Sequence, residues 1–313
     1  MLIRPIQRVY RSWVIDSRSW AHYVPRADDI VIATFPKCGT TWMQRIVSLL
    51  VFQSPEPRPV MEISPWIDRR SSEPVETVME RIDAQDHRRF LKAHLPADGL
   101  PIFGAVKYIH VARDGRDACL SFHNHGAGLT PEVLERLDRN GLDDETVGRP
   151  YPRMPADPAE YFHRWLADDV DPGYGDGSPA TSFFHFERTW WNEQDRPNVL
   201  LVHYDDLSAD LACEMRRVAD FLGIRVAPEA WHGLLKAAGF EAMRQNGDLL
   251  MGSVATSFHG GGSRFFHKGT SGRWRGVFRN DDLAQYEAKL RELPPRCARW
   301  VTHGRSGAAC LGS

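Results

Sequence analysis

The chain has 313 residues, 42% of them hydrophobic and 26% charged, enough apolar material for one large domain or two small ones. Its net charge of −2 argues against general nucleic-acid binding, although a local basic site is compatible with it. The five cysteines, Cys38, Cys119, Cys213, Cys297 and Cys310, are odd in number and show no CxxC spacing, so they suggest neither a disulfide framework nor a zinc knuckle and fit a reducing, cytoplasmic setting.

In chain order, "MLIRPIQRVYRSW" has no apolar signal core, and no run approaches ~18 apolar residues, so neither a secretion signal nor a membrane span is expected. The N-terminal aromatics Trp13, Trp20 and Tyr23 either line a ligand pocket or pack on the core. Residues 29–35, "DIVIATF", read as a short buried strand. Residues 40–53 read as a helix with Thr40 and Thr41 in its first turn. Strands follow at 88–94 and 106–113, and "RDGRDACLSFHNH" should turn into a helix. A fourth strand is expected at 198–204, followed by a single helix over "DDLSADLACEMRRVADFLGI". Strands alternating with helices predict an α/β fold with a central parallel sheet flanked by helices, taken as one domain over 1–313. In such sheets the ligand sits beyond the carboxyl ends of the strands. The stretches 126–157 and 246–273 mix Gly, Pro and polar residues and read as long loops, either lids or disordered, the second more readily a lid because its end is basic. "TWW" at 189–191 reads as helix packing. The histidines of "HNH" at 123–125 look like a metal pair but fall on the expected helix, and no metal site is assigned to them.

The chemistry concentrates where strands end. In "TFPKCGTTW" a strand turns into a helix, leaving backbone N–H groups unpaired and converging on one spot. Such a spot holds phosphate or sulfate. Gly39 allows close approach, Lys37 adds a mobile charge, and Thr40 and Thr41 add hydroxyl donors. The loop is P-loop-like but not a Walker A motif, because it lacks the upstream glycine and places lysine before Gly39. No strand ends in an aspartate suited to Mg²⁺. Arg113 closes a strand in "VARDGRDACLSF", with Ser121 eight residues on, and the two can clamp a second phosphate unless Arg113 merely pairs with Asp114 or Asp117. In "LKAHLP", Lys92 and His94 alternate along a strand and share a side, so His94 is either a general base beside the anion site or a satisfied structural histidine.

Together "TFPKCGTTW", "LKAHLP", "VARDGRDACLSF" and "FHKGTSGRWRGVF" resemble the signatures of cytosolic-type sulfotransferases, which use 3′-phosphoadenosine-5′-phosphosulfate (PAPS). The resemblance spans about residues 28–280. "SLLVF", "SPWID" and "DAQDHRRFLKAHLP" are similar to bacterial members described as glycolipid sulfotransferases. The resemblance implies that Lys37, Cys38, Gly39, Thr40, Thr41 and Trp42 hold the 5′-phosphosulfate end, with Trp42 also against the adenine. Arg113 and Ser121 would hold the 3′-phosphate, under His267, Lys268 and Gly269. Tyr204 and Phe240 would pack on the base. His94 would deprotonate an acceptor hydroxyl, on a small molecule or a glycolipid, while Lys37 and Lys92 stabilise charge in transfer.

The chain also departs from that pattern. Cys38 stands where serine is common, Ala238 replaces a usual threonine near the base, and His267 replaces the usual arginine at the 3′-phosphate. The dimerisation segment of animal members is not recognisable around "RGVFRNDD", which leaves the oligomeric state open. Two rival functions are a Mg²⁺-dependent P-loop-type phosphotransferase and a non-catalytic nucleotide-binding relative. The presence of both His94 and Lys37 speaks against the second, since a binder needs no base.

Overall fold

The computed structural model describes residues 1–70, 73–167, 182–266 and 268–305. Its centre is a four-stranded parallel sheet built from β2 (Ile30–Thr34), β3 (Phe90–Ala93), β5 (Lys107–Ala112) and β6 (Val199–His203), in the order β3-β2-β5-β6. The predicted strands are all present, each trimmed by one or two residues at its ends. A separate antiparallel pair, β1 (Leu2–Arg4) with β4 (Ile102–Phe103), was not anticipated; both strands are too short to show a period.

Side-chain alternation explains why these strands carry little polar sequence. Ile30 and Ile32 of β2 point into one core cluster, with Phe90, Ile109 and Val202, under Met43, Ile46 and Leu50 of the helix Thr40–Phe52. Val31 and Ala33 point into the other, with Leu91 and Tyr108, under Phe183, Phe186 and Trp190 of the helix Phe183–Trp191. Both faces of the sheet are covered, so the strands read as continuous apolar runs. Trp13, Trp20 and Tyr23 are buried at 1%, 2% and 6% exposure, which places all three in the core and leaves Val14 and Ile15 to line the cavity described below.

Three expectations are corrected. The helix after β6 is two helices, Tyr204–Ala209 and Leu211–Leu222. They break at Asp210, whose backbone leaves the helical region (φ −147°, ψ 82°) and whose carboxylate caps the second helix by accepting from Cys213 N. The stretch 126–157 contains the helix Pro131–Leu142, started by a proline in its first turn and packed through Val133 and Leu137. The stretch 246–273 contains the helices Gly247–Met251 and Gly261–Phe265 around a 3₁₀ turn, Gly252–Ser257. Glycine made this last segment look like loop; here it serves close packing, since a Cβ on Gly262 would lie 2.5 Å from the Gly247 carbonyl carbon.

No helix among the described residues is long and apolar enough to cross a membrane. The chain leaves β2 toward β3 on one side and leaves β5 toward β6 on the other. The crevice between β2 and β5 is therefore the switch point of the sheet, where ligands of such folds bind.

Candidate active site

A cavity of about 650 Å³ opens over that crevice. Register brings the ends of the strands to one level: Ala33 is opposite Ala93, and Thr34 is opposite Val111. Lys37, His94, Arg113 and Tyr204, each just past a strand end, all line the cavity.

The loop after β2 is set by backbone geometry. Lys37 has φ 71° and Gly39 φ 105°, two left-handed residues that turn the chain sharply into the helix. A Cβ on Gly39 would sit 3.0 Å from the Tyr204 ring. The first bond of the helical ladder runs from Met43 N to Gly39 O, so the N–H groups of Thr40, Thr41 and Trp42 precede it and remain available to an anion. Cys38 is different. Its N–H donates to Phe35 O at 3.2 Å, and its side chain is buried in the core. Of the described residues predicted for the site, it is the one that does not line the cavity.

Arg113 crosses the switch point. Its guanidinium donates to Lys37 O at 3.3 Å and to Thr270 O at 3.0 Å, and lies 4.1 Å over the Tyr204 ring. Neither nearby carboxylate takes it. Asp114 pairs with Arg116, and Asp117 accepts from the N–H groups of Gly272 and Arg273. The buried Nε of Arg113 has no partner, an orphaned donor that an anion would satisfy. Ser121 and Lys268 line the same cavity. So does Arg273, which the motif analysis missed although its charge lies only four residues past Gly269. His267 lies outside the described residues.

An aromatic slot adjoins this cationic end. Trp42 and Tyr204 meet edge to face at 5.3 Å, and Trp42 Nε1 donates to the backbone oxygen of Ala238 at 2.9 Å. Phe240 faces Gly269, where φ is 65° and a Cβ would lie 2.4 Å from the ring.

The basic groups gather on the other side. His94 Nδ1 is 2.8 Å from Thr34 O. A carbonyl only accepts, so Nδ1 carries the proton and Nε2 keeps its lone pair. His94 is held from behind as well: Asp68 accepts from His94 N at 3.0 Å and from Trp66 Nε1 at 2.7 Å, and Trp66 meets the imidazole edge to face at 4.9 Å. Lys92 lies 4.2 Å over the Trp66 ring. Burial, then Lys92, push the His94 pKa well below the usual histidine value, so the ring is neutral near pH 7. Lys37 is pushed down to about 7 by burial, then by Lys92 and Arg113. Lys92 is also pushed down to about 7 by burial, with Asp68 opposing. Neutral base and poised ammonium groups thus share one enclosed space, an arrangement suited to taking a proton while holding a transferring anion.

A family model described as "Sulfotransferase domain" matches residues 27–294. The glycolipid sulfotransferase of Mycobacterium tuberculosis (strain ATCC 25177 / H37Ra) is 34% identical over 311 residues, covering 96% of this chain and 95% of that protein. Sulfotransferase 1C2 of Homo sapiens is 26% identical over 81% of this chain and 78% of its own length. Among solved structures, retinol dehydratase in complex with androsterone and inactive cofactor PAP superposes with a TM-score of 0.68 at 20% identity, over 92% of this chain and 85% of that one. Mouse sulfotransferase SULT7A1 complexed with PAP gives 0.64 at 19% identity, over 88% and 86%. At these identities the two structures show that the fold is shared.

Proposed function

The chain belongs to the sulfotransferase-domain family, and from that premise we propose that it moves a sulfuryl group from PAPS to a hydroxyl on a small molecule or glycolipid, the whole chain acting as one domain. The observation that carries this reading is the convergence of the free Nε2 of His94 with Lys37 and Lys92 on the cavity entered by the anion loop. The donor's 5′ end would lie on the N–H groups of Thr40 to Trp42, its 3′-phosphate by Arg113, Ser121 and Lys268, and its adenine between Trp42, Tyr204 and Phe240. His94 takes the proton of the acceptor hydroxyl at Nε2. The acceptor oxygen bonds to sulfur as the bond from sulfur to the nucleotide phosphate oxygen breaks. Lys37 and Lys92 offset the charge developing on the bridging oxygen and the sulfuryl group.

The rest of the cavity supports an acceptor with an apolar body. Met61, Leu129, Val133, Leu137 and Phe258 line it, with exposed Arg69 and Arg136 at the rim. The relatives named as glycolipid sulfotransferases favour an amphiphilic acceptor with a hydroxylated head. Transfer of label from PAPS to phenols, steroids and glycolipids, assayed side by side, tests the reading; no transfer to any hydroxyl would overturn it.

Two smaller predictions follow from the site. Gly269→Ala should push the Phe240 ring out of the aromatic slot and weaken binding of 3′-phosphoadenosine-5′-phosphate (PAP), read by calorimetry, with the melting temperature little changed. Sulfuryl transfer should continue in excess EDTA, because the carboxylates beside Arg113 are engaged by protein donors, Asp114 by Arg116 and Asp117 by the N–H groups of Gly272 and Arg273, while Lys37, Lys92 and Arg113 bring positive charge to the cavity. Loss of turnover in EDTA, with rescue by Mg²⁺, would favour a phosphotransferase instead.

A further inference from the structure

The two histidines of "HNH" part company on the helix Gly115–Gly126. His123 Nε2 is spent on Pro155 O at 2.7 Å, away from the cavity. His125 faces into it, and its Nδ1 lies 3.4 Å from Lys37 Nζ. The His125 ring packs against Phe258 at 4.8 Å and Phe265 at 5.9 Å, and the Lys37 ammonium rests 4.0 Å over the Phe265 ring. The other groups acting on this ammonium are Lys92 and His94 from the β3 side and Arg113 from the end of β5, all basic, with the buried Cys38 thiol of its own loop opposing them. Among the described residues, His125 Nδ1 is the side-chain acceptor in reach of Lys37 Nζ.

We propose that His125 is a positioning residue for Lys37, accepting a hydrogen bond from its ammonium at Nδ1 and aiming it across the cavity at the group being transferred. The inference rests on the sulfotransferase reading for its purpose, but not for its geometry. A lysine side chain has four rotatable bonds, and in an enclosed cavity with three other basic groups it would otherwise turn away from them. The Phe265 face attracts the charge without fixing direction. A lone pair fixes it. The role requires a neutral imidazole; burial, then the neighbouring Lys37 and Lys92, hold His125 in that form.

The test compares His125→Phe, which fills the same space between Phe258 and Phe265 without an acceptor, with His125→Asn, whose amide oxygen falls near the place of Nδ1. Removing a hydrogen bond to a charged group should lower kcat roughly 10–100-fold in His125→Phe with KM for PAPS unchanged, and His125→Asn should recover most of it. The second readout needs no turnover: side-chain NMR of ¹⁵N-labelled lysine, with Lys37 assigned by its loss in Lys37→Arg. Loss of the acceptor disfavours the ammonium, so Lys37 should titrate at lower pH in His125→Phe and return toward the wild-type value in His125→Asn. Unchanged titration in folded His125→Phe overturns the proposal, whatever the activity. If His125→Phe does not fold, His125→Ala carries the same comparison. A wild-type protein that sulfates no acceptor would defeat the functional reading, and the lysine titration would still decide whether His125 holds Lys37.

Discussion

His94→Ala is expected to lose ~10²–10⁴-fold in sulfuryl transfer while still binding PAP, the usual cost of removing a general base. Nδ1 is occupied by Thr34 O, so the lone pair on Nε2 is what the substitution removes. The nucleotide contacts proposed here come from the loop after β2, from Arg113 and from the aromatic slot, none of which uses the imidazole. His94→Asn is the sharper variant. Its amide N–H can replace Nδ1–H toward Thr34 O, so the local wall is kept and only the base is lost. Both variants should therefore fall by a similar amount. The acid side of the pH profile follows from the same geometry. His94 titrates below the ordinary histidine value, so the base is available through the neutral range and its loss appears only well below pH 6.5. Near-normal turnover in His94→Asn would remove His94 from the mechanism.

Lys37→Met should reduce kcat by roughly 10²–10³-fold, the scale set by removing one preorganised donor from a developing charge. The pH dependence gives a second signature. Lys37 is held near 7 by burial and by neighbouring cations, so in the free enzyme it loses its proton as pH rises through about 7. The active form carries the proton, so kcat/KM should decline above about pH 7. A bound anion favours the charged lysine and raises its pKa, so kcat, which reports the loaded enzyme, should hold to higher pH. Lys37→Arg keeps its charge throughout and should flatten the alkaline decline at a lower rate. Lys92, also held near 7, is the competing source. A decline that survives in Lys37→Arg and disappears in Lys92→Arg would assign the ionisation to Lys92, and wild-type turnover in Lys37→Met would overturn the role of Lys37.

The strands were readable because both sheet faces are covered, which makes "DIVIATF", "VKYIHVAR" and "NVLLVHY" dense in apolar and β-branched residues. The loop after β2 was readable because a strand, a lone glycine and two threonines leave few other conformations. The stretches 126–157 and 246–273 misled because proline and glycine mark turns in most sequences. Here Pro131 opens a helix, and Gly247 and Gly262 let two short helices touch. Cys38 misled for a local reason: one residue inside the loop proposed to hold the anion can still point into the core and spend its N–H on the preceding turn.

Local order alone therefore determined the α/β class, the sharp turn after β2 and the placing of Lys37, Lys92, His94 and Arg113 at strand ends, because each depends on residues within one strand–turn–helix unit. Tertiary structure alone decided what those residues face. Arg113 could have paired with Asp114 or Asp117 by proximity in the chain; packing gave Asp114 to Arg116 and Asp117 to Gly272 and Arg273, and left the Arg113 Nε unsatisfied. The hydrogen bond from His94 to Thr34 O joins two parallel strands whose register no pattern in either segment specifies. His125 reaches Lys37 from 88 positions away. Contacts of that separation depend on how helices settle against a closed core, and that settlement is set by side-chain volume and charge throughout the chain.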